Sequence, residues 1–484
     1  MKQHTLTALL LVPSAVLCAA DRPAPASKPN ILLIITDQQH AGMLSCAGNA
    51  YVQTPNLDSL ARTGVRFERA YCGNPVCVPS RFCMLSGTMP SRIGMETNGE
   101  IGNEVPQEIL DDAMGAVFRR AGYQTVYGGK THLPGGLKKR LIERYGFESL
   151  TADQRAELAE RCAAFLREKH ERPFLLVASF INPHDICYMA IRAWQTSGTV
   201  GKGAKVTPLS PPAIECLDAA LQRPPGVSEE QFFRDVCPPL PANYGIPDGE
   251  LSVFGDKLGG FRGYVRQHWT ERDWRLHRWA YARLTERVDG EIGQVLAALR
   301  ESGLEKNTLV MFTSDHCDMD SAHRFEHKSL LYEEAVRVPL IVSWKGVTQG
   351  GLVDRDHLVS TGLDLTPTLC DFAGVPVPAS LKGRSVKSLA KGQPAEPWRG
   401  HLVVENHQAR LVLAERWKYM VGGSGPIREM VTDLTRDPGE MKNLASEPAY
   451  RGRLETGRRL LKEWYASHGL TLNAKYVVGP ESGD

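Results

Sequence analysis

Four separated stretches of this chain run apolar and then stop in polar, chemically capable side chains. Ile31-Leu32-Leu33-Ile34-Ile35 ends in Thr36-Asp37-Gln38, and Thr308-Leu309-Val310-Met311-Phe312 ends at Ser314-Asp315-His316. Phe174 to Phe180 ends at Asn182-Pro183-His184, and Thr125-Val126-Tyr127 runs through Gly128-Gly129 into Lys130-Thr131-His132. An unbroken apolar run suits a parallel strand buried on both faces. Helical patterns alternate with these runs, so the expected fold is α/β with a mostly parallel sheet. Ligands of such sheets bind beyond the carboxyl ends of the strands, which is where these polar residues collect. Any one of them could be a solvated strand end; four in one chain mark a site.

Cys77-Val78-Pro79-Ser80-Arg81, continuing Phe82-Cys83-Met84-Leu85-Ser86-Gly87, is the densest stretch of chemistry. Pro79 favours a helix start, where its missing N–H costs nothing. Free N–H groups and the positive dipole end there suit an anion. Arg81 adds a planar fork that matches a tetrahedral oxyanion, and a thiolate at Cys77 could be a nucleophile. The plain alternative is a buried, inert thiol. Asp37, Gln38, Asp315 and His316 form two pairs from distant parts of the chain. Two carboxylates and an amide carbonyl suit a hard divalent ion such as Ca²⁺; the alternative is helix capping by Asp37 or Asp315. Histidine is a poor calcium ligand, so His316 either ligates weakly or orients the nucleophile.

C-x-P-S-R followed by x-x-x-L-S-G resembles the signature of formylglycine-dependent sulfatases, with Ser86 where the signature has Thr. Gly122-Tyr123-Gln124-Thr125 with Lys130-Thr131-His132 resembles the family's G-Y-x-T…G-K-x-H, and Pro183-His184 its P-H. Lys328, Tyr332-Glu333-Glu334 and Arg337-Val338-Pro339-Leu340-Ile341-Val342 resemble its K-x-x-x-Y-E-E…R-V-P-L-I-V. Asp433-Leu434, Asp437-Pro438-Gly439-Glu440 and Asn443-Leu444 resemble its C-terminal motif, so the likeness covers nearly the whole chain after residue 28.

The resemblance implies an alkaline phosphatase-like α/β/α sandwich and a smaller C-terminal α+β subdomain with an antiparallel sheet. It implies that Cys77 is oxidised to formylglycine (3-oxoalanine) by a formylglycine-generating enzyme, and that the hydrated aldehyde attacks sulfur to give a sulfo-enzyme. One Ca²⁺ would sit on Asp37, Gln38, Asp315 and His316, where the family's commonest set is Asp-Asp and Asp-Asn. Arg81 would stabilise charge on the sulfate, and Asp315 would take the hydrate's proton. Lys130 would bind sulfate oxygens, His132 the hydrate, and His184 and Lys328 the leaving oxygen. His323 matches a family histidine whose role the sequence leaves open. Cys317, Ser321 and Arg324 stand where the family usually has glycines, so a different loop geometry is expected there.

The expected activity is hydrolysis of a sulfate ester on a sulfated glycan. The alternatives are a phosphonate or phosphodiester hydrolase of the same superfamily and a non-catalytic binding protein. A formal net charge of +2 points to no nucleic-acid partner. Lys2, the apolar run Leu6 to Leu17 and Ala19-Ala20 read as a signal peptide over residues 1–20, too short to span a membrane. The mature chain is therefore expected in the periplasm or outside the cell, with lipid anchoring at Cys18 disfavoured by Leu17. No later stretch reads as a transmembrane segment. Residues 28–390 read as the catalytic domain and 391–484 as the C-terminal subdomain. The 11 cysteines show no disulfide framework, and Cys72 with Cys83 is the one pairing considered against free buried thiols.

Ile186 to Phe261 gathers prolines without periodicity and reads as a long loop walling the pocket. A helix is expected from about Glu271 to Leu299, its start rich in Trp269, Arg272, Trp274, Arg275 and Trp279, which suit either sugar binding or packing.

Overall fold

In a computed structural model of the protein, strand β1 (Asn30–Asp37) is buried along its whole length. Residues 28–135, 141–201, 203–204, 206–255, 258–394 and 397–479 are described; the expected signal peptide and Cys18 lie outside them. After β1 come β2 (Val65–Phe67), β3 (Ala70–Tyr71), β4 (Gln124–Gly129), β5 (Glu148–Thr151), β6 (Phe174–Pro183) and β7 (Thr308–Ser314). Then follow β8 (Leu340–Ser343), β9 (Leu352–Asp354), β10 (Val359–Ser360), β11 (His401–Glu405), β12 (Ala409–Ala414), β13 (Trp417–Gly422) and β14 (Glu429–Asp433).

Eight strands form one sheet in the order β5-β4-β6-β1-β7-β8-β2-β9. From β5 to β7 all neighbours are parallel, whereas β8 is antiparallel to both β7 and β2. Side chains of β1 alternate between two cores, as the two-residue period of a strand requires. Ile31, Leu33 and Ile35 pack with Val78, Phe82 and Leu85, while Leu32 and Ile34 pack with Leu57, Leu166 and Leu296. The sheet is therefore covered by helices on both faces, the sandwich expected. β3 and β10 form a separate parallel pair.

The register places the site. Ile35 pairs with Ser179 of β6 and Thr36 with Ser314 of β7. Asp37 and Asp315 thus leave neighbouring parallel strands at one level, although 277 residues separate Asp315 from Gln38. A bulge after Ile35 shifts Asp37 opposite Pro183.

The C-terminal sheet is antiparallel in the order β11-β12-β13-β14, and the helix Arg451–Ser467 packs on it. Its Leu402, Leu411 and Met420 share the core of Leu33 and Phe82. The stretch expected as a long loop instead carries the helices Cys187–Thr196 and Pro211–Ala220 between irregular segments, and the helix Gly260–His268 begins at its end. Pro211 and Pro212 open a helix rather than break one, as prolines in a first turn do. The long helix runs Glu271–Glu301 behind a capping box of Thr270 and Asp273. Among the described residues the cysteines are free thiols, Cys72 and Cys83 included, and no helix is long and apolar enough to cross a membrane.

Candidate active site

Cys77 is the first residue of a helix, Cys77–Ser86, in which every residue is buried. Pro79 is third in that helix, within the first turn, where its missing N–H has no helical partner to lose. Gly87 ends the helix at φ 63, a left-handed cap that glycine adopts without a side-chain clash. The helix therefore presents residue 77 rigidly at the carboxyl edge of the sheet.

Around the Cys77 Sγ lie the Nζ of Lys328 at 2.8 Å, the Nε2 of His316 at 3.1 Å, the Nζ of Lys130 at 3.8 Å and an Asp37 oxygen at 3.9 Å. His132 also hydrogen-bonds the thiol. Burial alone would push the thiol up, but Lys130, Lys328 and His316 outweigh it and hold Cys77 well below the ordinary thiol range.

Arg81 does not face outward as an oxyanion fork. Its guanidinium, 1% exposed, donates from Nη2 to Asp37 at 2.9 Å and from Nε to Asp315 at 2.8 Å. Its Nη1 donates to the Lys130 carbonyl at 2.8 Å and to the Ser179 hydroxyl at 2.7 Å. Four of its five N–H donors thus brace two carboxylates, one carbonyl and one hydroxyl, so Arg81 bears on residue 77 through Asp37 and Asp315. The adjacent like charges explain the need. Burial and Asp37 raise Asp315 to about 6, against the pull of His316 and Arg81. Asp37 meets burial and the Cys77 charge, yet Lys130, His184 and Arg81 hold it well below the carboxylate range.

Asp37, Cys77, Asp315 and His316 bring one ligand-type atom each to within 4.8 Å of one another. Gln38, expected beside them, stands at φ 70. Its Nε2 donates to Asp318 at 2.7 Å, which leaves its Oε1 buried and without a partner. The Nδ1 of His316 lies 3.3 Å from the Cys317 carbonyl, which leaves its Nε2 lone pair toward Cys77 and both aspartates. Converging carboxylates plus an orphaned amide oxygen fit a hard divalent cation. Asp318, which the sequence did not single out, holds the Gln38 amide nitrogen and so leaves the amide oxygen free to accept.

Lys130 follows Gly129, whose φ of 90 and close approach leave no room for a side chain, since a Cβ would stand 2.1 Å from the Ser179 carbonyl. Lys130 Nζ lies 2.6 Å from Asp37, so it pairs with one of the converging carboxylates. His184 follows β6; its Nε2 is 3.9 Å from Asp37 and its Nδ1 3.8 Å from the Cys187 thiol. Burial, with Lys130 and Lys328, pushes His184 down to about 4. The neighbouring Asp185 is buried and gripped by Arg155 at 2.6 and 3.1 Å, which fixes the turn that carries His184. Lys328 is 5% exposed and raised to about 12, its burial outweighed by Cys77 and Asp37.

His323 is elsewhere: it stacks on Tyr332 at 4.0 Å and makes no contact with Cys77 among its described partners. Ser321 and Arg324, at the family's glycine positions, have φ of 74 and 55, so the loop keeps left-handed geometry without glycine. Cys317 is not among the positive-φ residues. Arg275 donates to backbone carbonyls of Phe233, Cys237 and Pro238, and Arg272 pairs with Glu229. With Trp274 buried, the start of the long helix packs the preceding segment in place.

A family model described as Sulfatase matches residues 29–375, and one described as N-sulphoglucosamine sulphohydrolase, C-terminal, matches residues 321–464. A Delta 4,5-hexuronate-2-O-sulfatase of Bacteroides thetaiotaomicron is 29% identical, over 93% of this chain and 91% of its own. The structure of a 2-O GAG sulfatase superposes with a TM-score of 0.75 at 27% identity, covering 93% of this chain and 95% of that one. A phosphonate monoester hydrolase of Agrobacterium radiobacter has a TM-score of 0.69 at 21% identity, covering 91% and 96%, a likeness of fold alone.

Proposed function

Because the chain belongs to the sulfatase family, we propose that it hydrolyses a sulfate ester on a sulfated sugar, with residue 77 matured to formylglycine and one Ca²⁺ held by Asp37, Gln38, Asp315 and His316. The observation that carries this reading is the surrounding of Cys77: two lysine ammonium groups and three imidazoles within hydrogen-bonding or charge-pairing reach of one buried atom at a helix start. The exported, signal-bearing precursor and the maturation enzyme belong to the same proposal.

A sulfate monoester resists hydrolysis because it repels nucleophiles and expels a poor alkoxide. When bound, the hydrated aldehyde and the cation supply the nucleophile and a Lewis acid. This chain's residues do the rest. Lys130 and Lys328 place fixed positive charge where sulfate oxygens must lie, in a buried site where such charge acts strongly. Asp315, held by Arg81 and by the backbone N–H groups of Gln38 and His316, offers an oxygen to accept a proton at residue 77. His184 is neutral before substrate arrives, and an anionic ester beside it favours its protonated form, so it can supply a proton to the leaving oxygen. His132 contacts residue 77 from another side with its Nδ1 unpartnered, a place from which to remove a proton there.

Initial rates on 4-nitrophenyl sulfate and an aryl phosphonate, with sulfate release from defined sulfated oligosaccharides, test the reading. A sulfatase prefers the aryl sulfate and frees sulfate from at least one sugar. A preference for the phosphonate would move the chain to the phosphonate hydrolase class, and no turnover by formylglycine-bearing protein would leave the binding-protein reading.

A further inference from the structure

Next to the site lies a cation that the proposed chemistry does not use. Arg262 belongs to the helix Gly260–His268, at the end of the proline-rich stretch. Its half-buried guanidinium makes one hydrogen bond among the described residues, from Nη2 to the Ser329 hydroxyl at a long 3.4 Å. Its Nε is buried and has no partner. No carboxylate among the described residues forms an ion pair with it; Glu326 and Asp318 act on it only through their charge at longer range. Most other arginines of the chain's interior are tied down, as Arg81, Arg155 and Arg410 are.

The position of Arg262 is fixed from both sides. Ser329 donates its N–H to the Pro75 carbonyl at 3.0 Å and accepts from Asn406 at 2.8 Å. It directly follows Lys328, whose ammonium touches Cys77. Phe261 meets the His327 ring edge-on at 5.5 Å, and His327 lies 6.5 Å from the His184 ring. One continuous wall therefore runs from His184 through His327 and Phe261 to Arg262. His407, on the loop after β11, lies within reach of that charge and is pushed downward by burial and by it.

Among the described residues this half-buried guanidinium has one long hydrogen bond and the face of Phe261 at 5.7 Å, and no countercharge, which costs stability unless another group meets it. The internal candidate is Glu326, whose two buried oxygens accept no hydrogen bond among the described residues and whose Oε2 lies 3.7 Å from the His327 Nδ1. Burial and Asp318 raise it to about 8, so at neutral pH it is largely the uncharged acid and gives little countercharge.

We propose that Arg262, with Ser329 beside it, binds a second anionic group of the substrate, so that the enzyme prefers sugars carrying a carboxylate or a further sulfate besides the ester it cleaves. This rests on the sulfatase reading and names its substrate class. A planar fork with free donors suits carboxylate and sulfate alike. The neutral alternative, a sugar hydroxyl, would leave the positive charge uncompensated.

The experiment compares wild type, Arg262→Gln and Arg262→Lys on four probes: 4-nitrophenyl sulfate, a 2-O-sulfated uronate disaccharide, 6-O-sulfated N-acetylglucosamine, and 2-N,6-O-disulfated glucosamine. KM and kcat are measured, and binding of the sugars is titrated calorimetrically, which reads Arg262 whether or not sulfate is released. Losing a charged hydrogen bond predicts that Arg262→Gln weakens binding and raises KM by about tenfold or more on the sugars with a second anion. The loss on 4-nitrophenyl sulfate and the monosulfated sugar should be much smaller, and Arg262→Lys should recover part of the affinity. An effect on the uronate alone identifies a carboxylate site, and one on the disulfated sugar alone a sulfate site. The inference is overturned if wild type binds mono- and dianionic probes equally, or if Arg262→Gln weakens all probes alike. Retained binding selectivity without turnover would fault the sulfatase reading and leave the Arg262 site standing.

Discussion

Replacing Arg81 by Met tests whether its role is to hold two carboxylates together. Met keeps much of the side-chain length and fills the space without donors. The guanidinium is 1% exposed and bonds both Asp37 and Asp315, at 2.9 and 2.8 Å. Removing one member of a buried ion pair costs about 3–5 kcal/mol, because the other charge is left without compensation. Lys130 still pairs with Asp37, so the stranded charge is mainly that of Asp315. With a urea slope of roughly 3 kcal/mol per molar, the unfolding midpoint should fall by about 1–2 M. The loss should depend on pH with a definite sign. Asp315 already sits at about 6, raised by burial and Asp37, and losing Arg81 raises it further. A carboxyl with a raised native value contributes its stability below its unfolded value and loses it as pH rises through the native one. The variant should therefore lie closer to wild type at pH about 5 than at pH about 8. Saturating Ca²⁺ should narrow the gap at pH about 8 by mass action, since a cation between the aspartates replaces the lost charge. Urea unfolding followed by tryptophan fluorescence, with EDTA and with Ca²⁺, reads all three effects. A midpoint loss equal at both pH values, or under about 1 kcal/mol at the higher one, would refute the argument, because a strut between two buried carboxylates cannot be that cheap to remove.

Three other outcomes follow from the same geometry. Peptide mass spectrometry of protein made in its native host should find residue 77 as formylglycine; a fully active preparation carrying only unmodified Cys77 would contradict the proposed mechanism. Asp315→Ala should lose both bound metal and turnover, whereas Lys130→Ala should keep its metal, since the ammonium 2.6 Å from Asp37 competes with a cation there, and lose about a hundredfold in kcat. Elemental analysis beside initial rates decides that pair, and equal metal loss in both would mean Lys130 supports the ion. His323→Phe should resist acid better than wild type: burial holds His323 down at about 3, so its stability is present above about 6.5 and is lost as pH falls toward its native value. Acid unfolding followed by circular dichroism should show a lower midpoint pH in the variant; an unchanged or higher one would show that Glu334, 4.0 Å from the imidazole, compensates its charge.

The parts of the site readable in the sequence are those set by strand ends and local motifs. A fully apolar run forces a doubly covered strand, and the residue after it must emerge at the sheet's carboxyl edge, so the pattern alone puts Asp37, Lys130, His184 and Asp315 on one edge. What stayed hidden is set by contacts between distant residues. Arg81 sits in a motif that looks made for an oxyanion, and only the register of Thr36 with Ser314 reveals two aspartates converging on it. Asp318 matters because Gln38 reaches it across the fold, and Arg262 because it meets Ser329, next to Lys328, while its neighbour Phe261 meets His327. Arg262 lies in a stretch without periodicity, where pattern carries no positional information.

The loop after Asp315 shows how far local propensity can be overruled. Asp320, Ser321, His323, Arg324, His327 and Ser329 all have positive φ, a conformation that non-glycine residues adopt at a cost of order 1 kcal/mol or more each. Such a segment would not hold its shape alone; the surroundings must impose it. Asp318 accepts the N–H groups of Asp320 and His327, Asn243 accepts at its carbonyl from His323, and Asn406 and Pro75 hold Ser329. The residues delivered by that shape are His327 and Lys328, one on the pocket wall and one against Cys77. Where glycine would have made the turns easy, Ser321 and Arg324 keep them less willing to take other forms in the unfolded chain. The strain is thus located where Lys328 meets Cys77, and relaxing it should move Lys328 before it disturbs the sheet.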